Sequence, residues 1–209
     1  LIQLCFLEAA GLDEMLTVAH RDMMLGLRQS TGTGYVVHLP LDLELGAIGD
    51  DANLTRGVAV LRRTMEFLLP LQPAGWILHF DFPSSARPGF DCAPAPFVAW
   101  ADQALAILSR DLPVPPAAIA IENIGWDLTL LAAPLVRHGF SICFDAGHLW
   151  RAGFSFDRFV ATFGPLISIA HLHGHDGQRD HQALEKLSAA ETAAARNWLA
   201  GFRGIVVIE

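Results

Sequence analysis

The stretch Ile169-Ala170-His171-Leu172-His173-Gly174-His175-Asp176-Gly177-Gln178-Arg179-Asp180-His181 decides how the rest of the chain is read. Its lead-in, Leu166 to Ala170, has the apolar composition of a buried strand, and where that run ends the chain delivers four histidines and two aspartates within a dozen residues. Imidazole and carboxylate are the donors that a divalent zinc, manganese or iron ion binds. His171 and His173 lie two apart, so a continuing strand places both on one face. A polar loop that is merely rich in histidine would look the same in isolation, and the other apolar runs speak against that reading.

Seven such runs recur, each with an ionisable residue at or near its end: Glu8, His38, His79 (with Asp81), Glu122, Asp145, His171 and Glu209. The runs are near-continuous in Val, Ile, Leu and Phe, as in strands buried on both faces. Helix signals fill the gaps. Asn53 can cap a helix through Leu69 with Val58, Leu61, Met65 and Leu68 at helical spacing, and Phe97 to Leu108 repeats the pattern. Asp127 can cap a helix ending near Gly139, Ser155 opens Phe156 to Phe163, and Ser188 with Glu191 forms a capping box for a helix ending near Gly201.

Alternating strands and helices imply a parallel sheet with right-handed crossovers. An open sheet brings few strand ends to one site, whereas a closed barrel brings them all to one mouth. With six or more run ends carrying metal-type donors, the expectation is an α/β (β/α)8 TIM barrel formed by residues 1–209 as a single domain. Only seven runs are present, and the chain starts within one of them and stops at Glu209. A preceding first strand, and a closing helix, are therefore expected to be missing from it.

The loops after the runs should line the mouth, and two are long: Leu39 to Asp51, and Phe82 to Pro96 with four stiffening prolines. Thr31-Gly32-Thr33-Gly34 precedes a run, so it belongs to the opposite rim and is given no phosphate-binding role.

Composition narrows the function. The chain is 52% hydrophobic and 17% charged over 209 residues, enough for one large core. No apolar run reaches the roughly 18 residues of a membrane span, and the start lacks a signal peptide's basic flank and cleavage site, so a cytoplasmic protein without a membrane partner is expected. Cys5 and Cys143 sit in apolar runs and Cys92 in a loop, with no paired zinc spacing; we read them as reduced, the first two as core. A net charge of −8 argues against a nucleic-acid partner. The single lysine, Lys186, ends no strand, which leaves a Schiff-base aldolase without a nucleophile. Nothing in the sequence selects an oligomeric state.

The order of strand-end residues, with Ile121-Glu122-Asn123 and Asp145-Ala146-Gly147-His148, resembles the xylose isomerase-like barrels, which include sugar isomerases, epimerases and the endonuclease IV type of apurinic endonuclease. The resemblance implies that Glu122, Asp145, His171 and Glu209 hold one metal. The endonuclease type adds His38, His79, His148 and a downstream aspartate and histidine, for which Asp180 and His181 stand as candidates. Here those two are adjacent, and adjacent side chains of an extended segment point opposite ways, which argues against a third metal. Val37-His38-Leu39-Pro40-Leu41-Asp42-Leu43-Glu44-Leu45-Gly46, Phe144 to Leu149, His171-Leu172-His173-Gly174 and Asp180-His181 are more similar to the cobamide-remodelling phosphodiesterases, a branch of that superfamily. That similarity implies hydrolysis in the nucleotide loop of a cobamide.

The full donor set (His38, His79, Glu122, Asp145, His148, His171, His173, Asp180, His181 and Glu209) exceeds what one metal needs, favouring a hydrolase with paired metals. In the alternative, a sugar or sugar-phosphate isomerase or epimerase, Glu122 and Glu209 would move a proton between carbons. His148 could bind a metal or a substrate oxygen, and with Glu122 and Glu209 makes the candidate catalytic set. The substrate is then a small molecule, a cobamide or a sugar. Each acid or histidine alone reads as a cap or a hydrogen-bonded core residue. Together at one mouth, unpaired charges would repel without a cation. Arg151 and Arg179 could meet a phosphate, Trp126 and Trp150 could pack on a flat ligand, and His175 and Asp176 read as solvated. His20 and His138 belong to helices and are assigned nothing. A barrel that binds its ligand without turnover is the rival from another class.

Overall fold

The structure is a computed structural model and describes residues 1–43, 45, 50–80 and 95–209. Seven strands, β1 (Ile2–Cys5), β2 (Tyr35–His38), β3 (Trp76–His79), β4 (Ile119–Glu122), β5 (Ser141–Asp145), β6 (Ile167–Leu172) and β7 (Ile205–Ile208), pair in sequence order. Every pairing is parallel. The sheet curls into a nearly closed barrel. At its seam the Gln3 side-chain amide on β1 donates to the carboxylate of Glu209, just past β7. Helices α1 (Leu12–Met15), α2 (Val18–Thr31), α3 (Asp51–Leu68), α4 (Ala95–Asp111), α5 (Ala132–His138), α6 (Ala146–Arg151), α7 (Phe156–Phe163) and α8 (Ala189–Leu199) occupy the crossovers.

Side-chain alternation divides the strands into two apolar layers. Val37, Leu78, Ile121, Ile142 and Phe144 pack outward against Leu61, Met65, Leu105, Leu135 and Phe159 of the helices. Val36, Ile77, Ala120, Cys143 and Ile169 form a separate inner cluster, with Ile205 against it. Burying side chains of this size contributes about 1.5–3 kcal/mol each, as an upper estimate. Two residues further along the same face of β2 to β6 stand His38, His79, Glu122, Asp145 and His171. The inner cluster is thus a dry floor directly beneath an ionisable layer. One sheet parity encodes both.

Most helix signals hold. Val58, Leu61, Met65 and Leu68 are the buried stripe of α3, Ser155 caps α7, and Ser188 with Glu191 makes a full capping box on α8. The cap of α3 is Asp50 rather than Asn53: the Asp50 carboxylate accepts from the Asn53 amide, which places Asn53 inside the first turn. Asp127 caps a 3-10 turn, Leu128–Leu131, that leads into α5, and Gly139 closes α5 in the left-handed region at φ 76°. Gly32, at φ 73°, ends α2 before β2 on the rim away from the ionisable layer.

One expectation about the strands holds and one changes. The seven strands match the seven apolar runs, one fewer than a full (β/α)8 barrel holds, as expected. Glu8 is not a strand end, because β1 stops at Cys5, Phe6 turns into the core, and exposed Glu8 precedes a short 3-10 turn. Asp81, Cys92 and most of the long loop after β3, together with Glu44 and residues 46–49, lie outside the described residues. Among the described residues no helix is long and apolar enough to cross a membrane.

Candidate metal centre

Glu122, at the end of β4, is the hub of the ionisable layer and is buried. Its Oε2 lies 2.9 Å from His38 Nε2 and 3.2 Å from His79 Nε2, and its Oε1 lies 3.0 Å from His171 Nδ1. His38 Nδ1 is 3.0 Å from the Leu39 carbonyl, which can only accept, so that nitrogen carries a proton. Nε2 is then the ring atom turned toward Glu122 Oε2, where a proton or a cation can link the two.

Asp145 is held still by its surroundings. It caps α6, its Oδ1 accepting from the His148 amide at 2.6 Å. The Asn123 side chain donates to the Asp145 carbonyl at 2.7 Å and accepts from the Asp145 amide at 2.8 Å. Its Oδ2 is buried with no hydrogen-bond partner among the described residues, and faces His171 Nδ1 at 3.7 Å. An orphan carboxylate oxygen in a dry interior is costly unless a cation compensates it. Glu122, Asp145, His171 and Glu209 offer donor atoms within 4.8 Å of one another, as do His38, Glu122 and His171. The residues present therefore fit a divalent cation.

A further group lies toward the loops, where His148, His173 and His181 also bring donor atoms within 4.8 Å. His148 Nδ1 is 3.3 Å from Asp180 Oδ2, and His181 Nδ1 is 3.3 Å from Asp180 Oδ1. Adjacent Asp180 and His181 do not diverge, contrary to expectation, because the segment is not extended. His181 adopts φ 51°, and that left-handed turn brings both side chains to one side. The His173 ring stacks on that of His181 at 4.3 Å, and a Cβ on Gly147 would fall 2.2 Å from the His173 ring. The glycine of Asp145-Ala146-Gly147-His148 thus makes room for the second histidine of His171-Leu172-His173. His173 Nδ1 lies 3.0 Å from both the His181 amide and the Gly174 carbonyl, and its Nε2 stands 3.0 Å from Asp145 Oδ1 without hydrogen-bond alignment.

Charge follows this geometry. Burial alone would raise the Glu122 carboxyl, but the His171 charge and the hydrogen bonds from His171, His38 and His79 outweigh it and hold it well below the usual carboxylate range. Burial would lower His171, yet Glu122, and then Glu209 and Asp145, bring it up to about 9. His148 is pushed down, chiefly by burial, which favours the neutral form that ligates. Burial, aided by Glu122, Asp145 and Glu209, drives the Cys143 thiol well up, keeping it neutral in the floor.

A cavity of about 400 Å³ opens over the layer, lined by Gln3, Cys5, His79, Glu122, His148 and Glu209 among others. Cys5 is exposed there rather than in the core. Gln3 was not anticipated, although the alternation that puts Cys5 on the inner face puts Gln3 there too. Arg151 pairs with Asp180 at 3.2 Å, at the edge of the outer group. Arg179 instead pairs with Asp176 at the surface. His175 is tethered to Glu191 at 3.1 Å rather than solvated, and Asp176 accepts from the Gln178 and Arg179 amides. Trp126 and Trp150 belong to the outer apolar layer, Trp150 stacking on Phe156, and neither lines the cavity over the ionisable layer.

No family model matches the chain, and no curated sequence does. Solved structures do. A D-tagatose 3-epimerase-like protein superposes with a TM-score of 0.66 at 19% identity, over 91% of this chain and 76% of that one. The 3-keto-D-glucoside 4-epimerase YcjR from E. coli gives 0.65 at 14% identity, over 98% and 80%. The IolI protein, solved with a bound zinc atom, gives 0.68 at 13% identity, over 99% and 78%. Together with the parallel strand order, these place the fold among the xylose isomerase-like TIM barrels. The names lean toward sugar epimerases and isomerases, and none of the three is named for a cobamide.

Proposed function

We propose that this protein is a metal-dependent enzyme that hydrolyses a phosphoester, holding more than one divalent cation at the barrel mouth. The supporting observation is the surplus of converging donors: two groups share Glu122 and His171, and a third, His148, His173 and His181, stands beside them. A single-metal isomerase needs only the first four residues. In this reading Glu122, Asp145, His171 and Glu209 hold one cation, His38 and His79 join Glu122 around another, and His148, His181 and Asp180, with His173, supply the outer group. Divalent cations, when bound, lower the pKa of water and screen phosphoryl oxygens. The chain itself orients Asp145 through Asn123, keeps Glu122 ionised, and excludes water from below with the inner apolar cluster. His148, neutral and at the cavity, can accept or return a proton at a substrate oxygen. The finer reading, the nucleotide loop of a cobamide as substrate, rests on the longer motifs around His38, Asp145 and His171.

A sugar isomerase or epimerase is the second reading, and the neighbours' names favour it over cobamide hydrolysis. Glu122 and Glu209 would then exchange a substrate proton. Against it, Glu122 faces three imidazole nitrogens within 3.2 Å and is held well below the usual carboxylate range, which makes it a weak base. The deciding experiment loads the protein with zinc or manganese and supplies in parallel a coenzyme-form cobamide, bis(p-nitrophenyl) phosphate and a set of ketoses. Cobinamide phosphate or nitrophenol release is expected. Epimerised sugar with no phosphodiester cleavage would replace the first reading with the second, and turnover of none of them would leave a binding barrel.

A further inference from the structure

We infer that Gln3 is a positioning residue of the metal centre: it dictates which nitrogen of His171 faces the cation and tethers Glu209 beside it. This rests on the reading that Glu122, Asp145, His171 and Glu209 bind a cation. Gln3 lies on the inward face of β1, half-buried, with its side chain between two of those residues. Its Nε2 donates to Glu209 Oε1, and its Oε1 lies 2.9 Å from His171 Nε2.

Donor and acceptor chemistry fixes the direction of this chain of contacts. A carboxylate only accepts, so the amide turns its NH2 to Glu209 and its carbonyl to His171. A carbonyl also only accepts, so His171 Nε2 must carry a proton. Its Nδ1 is then the atom available to a cation, and it already faces Glu122 Oε1 at 3.0 Å, Glu209 Oε1 at 3.4 Å and Asp145 Oδ2 at 3.7 Å. Glutamate could not donate to Glu209 and lysine could not accept from His171, so the amide satisfies both contacts where either charged side chain satisfies one.

The location strengthens the case. Among the described residues β1 and β7 share no backbone ladder, and the Gln3 side chain is what joins them here. The Glu209 backbone amide donates to the Leu172 carbonyl at 3.1 Å, and its Oε2 meets His181, which is exposed. Gln3 is the half-buried tether across the seam. Partners of this kind, orienting a ligand without touching the metal, typically change affinity by about 10–100-fold when removed.

The test compares wild type, Gln3→Leu and Gln3→Glu by zinc competition against a chelator, by the visible spectrum of the cobalt-loaded protein, and by 15N NMR of the His171 ring. The zinc-loaded wild type should show His171 protonated at Nε2 and ligated through Nδ1. Gln3→Leu should lose zinc affinity by about 10–100-fold, shift the cobalt spectrum and lose the protected Nε2 proton. Gln3→Glu keeps an acceptor for His171 but sets a like charge against Glu209, so it should retain the His171 signature while losing affinity. Ligation through Nε2, or both variants matching the wild type in affinity and spectra, overturns the inference while leaving the metal centre standing. A wild type that takes up no metal overturns the two together.

Discussion

The two donor groups at the barrel mouth are built in opposite ways. The deep group takes Glu122, Asp145, His171 and Glu209 from the ends of four strands, carries three carboxylates to one imidazole, and buries all but Glu209 completely. The outer group takes His148 from α6 and His173, Asp180 and His181 from the segment after β6, carries three imidazoles, and leaves His181 half-exposed. Sheet register positions the first, because residues on one parity of neighbouring parallel strands have no freedom to diverge. A single left-handed residue positions the second. The deep group should therefore be preorganised and strong, and the outer group adjustable and weaker.

The largest effect that could break this contrast is at the hub. Glu122→Ala removes the carboxylate that His38, His79 and His171 all face and that both deep donor sets share. It should abolish turnover, empty the deep group of metal by elemental analysis, and destabilise the metal-free protein by roughly 3–5 kcal/mol, as removal of one member of a buried charged pair does. Normal metal content in this variant would mean that the strands do not make the site.

His181 sharpens the contrast from the other side. His181→Asn keeps a residue that tolerates φ 51°, removes one ring of the outer group, and should lower metal stoichiometry by one ion while the deep group retains its affinity. His181→Val loses the ring and also strains the turn, so it should additionally misplace Asp180 and destabilise the loop by about 1–3 kcal/mol. Equal behaviour of the two variants in metal titration and thermal melting would deny the turn its role.

The same division explains what the sequence could show. Seven apolar runs ending in ionisable residues carry the parallel barrel and the deep group, because an acid or histidine closing each run marks the same rim on successive parallel strands. Gln3 escaped because β1 is a short run whose inward residues were masked by its apolar appearance, and Glu8, the nearest acid, drew attention past the strand's true end. Asp180 and His181 misled because adjacency was read as extension, and a left-handed histidine has no composition signal. Gly147 was visible as a motif, but its reason, the His173 ring lying against it, is a tertiary contact between α6 and the segment after β6.

A smaller effect concerns pH in the metal-free protein. His171 is raised from 6.5 to about 9 in the folded state, so its contribution is fully present below 6.5 and is lost as pH rises through about 9. Melting temperature should fall across that window, the full loss being on the order of 3 kcal/mol. Glu122 shifts the other way and contributes above its ordinary 4.5, its contribution being lost only as pH falls well below that value. Cation binding at His171 displaces a proton, so metal affinity should rise over the same pH range in which the metal-free fold weakens. Parallel pH profiles of stability and affinity would contradict the assignment of the Nδ1 proton.

The smallest effect separates the outer loop from the site it carries. Asp176 accepts from the Gln178 amide at 3.1 Å, and from the Arg179 amide and side chain at 2.7 and 3.0 Å. Those bonds, the Arg179 amide first, hold its carboxyl down at about 2 against an ordinary 3.8. The carboxylate therefore supports the turn fully above 3.8, and that support is lost as pH falls through about 2. An NMR titration should place the Gln178 and Arg179 amide shifts on a midpoint near 2, and Asp176→Ala should accelerate their hydrogen exchange at neutral pH. Because this turn feeds Asp180 and His181 but touches no deep residue, the variant should loosen only the outer group's metal. A loss at Glu122, Asp145 and His171 as well would show that the two halves of the mouth, despite their separate construction, are one cooperative unit.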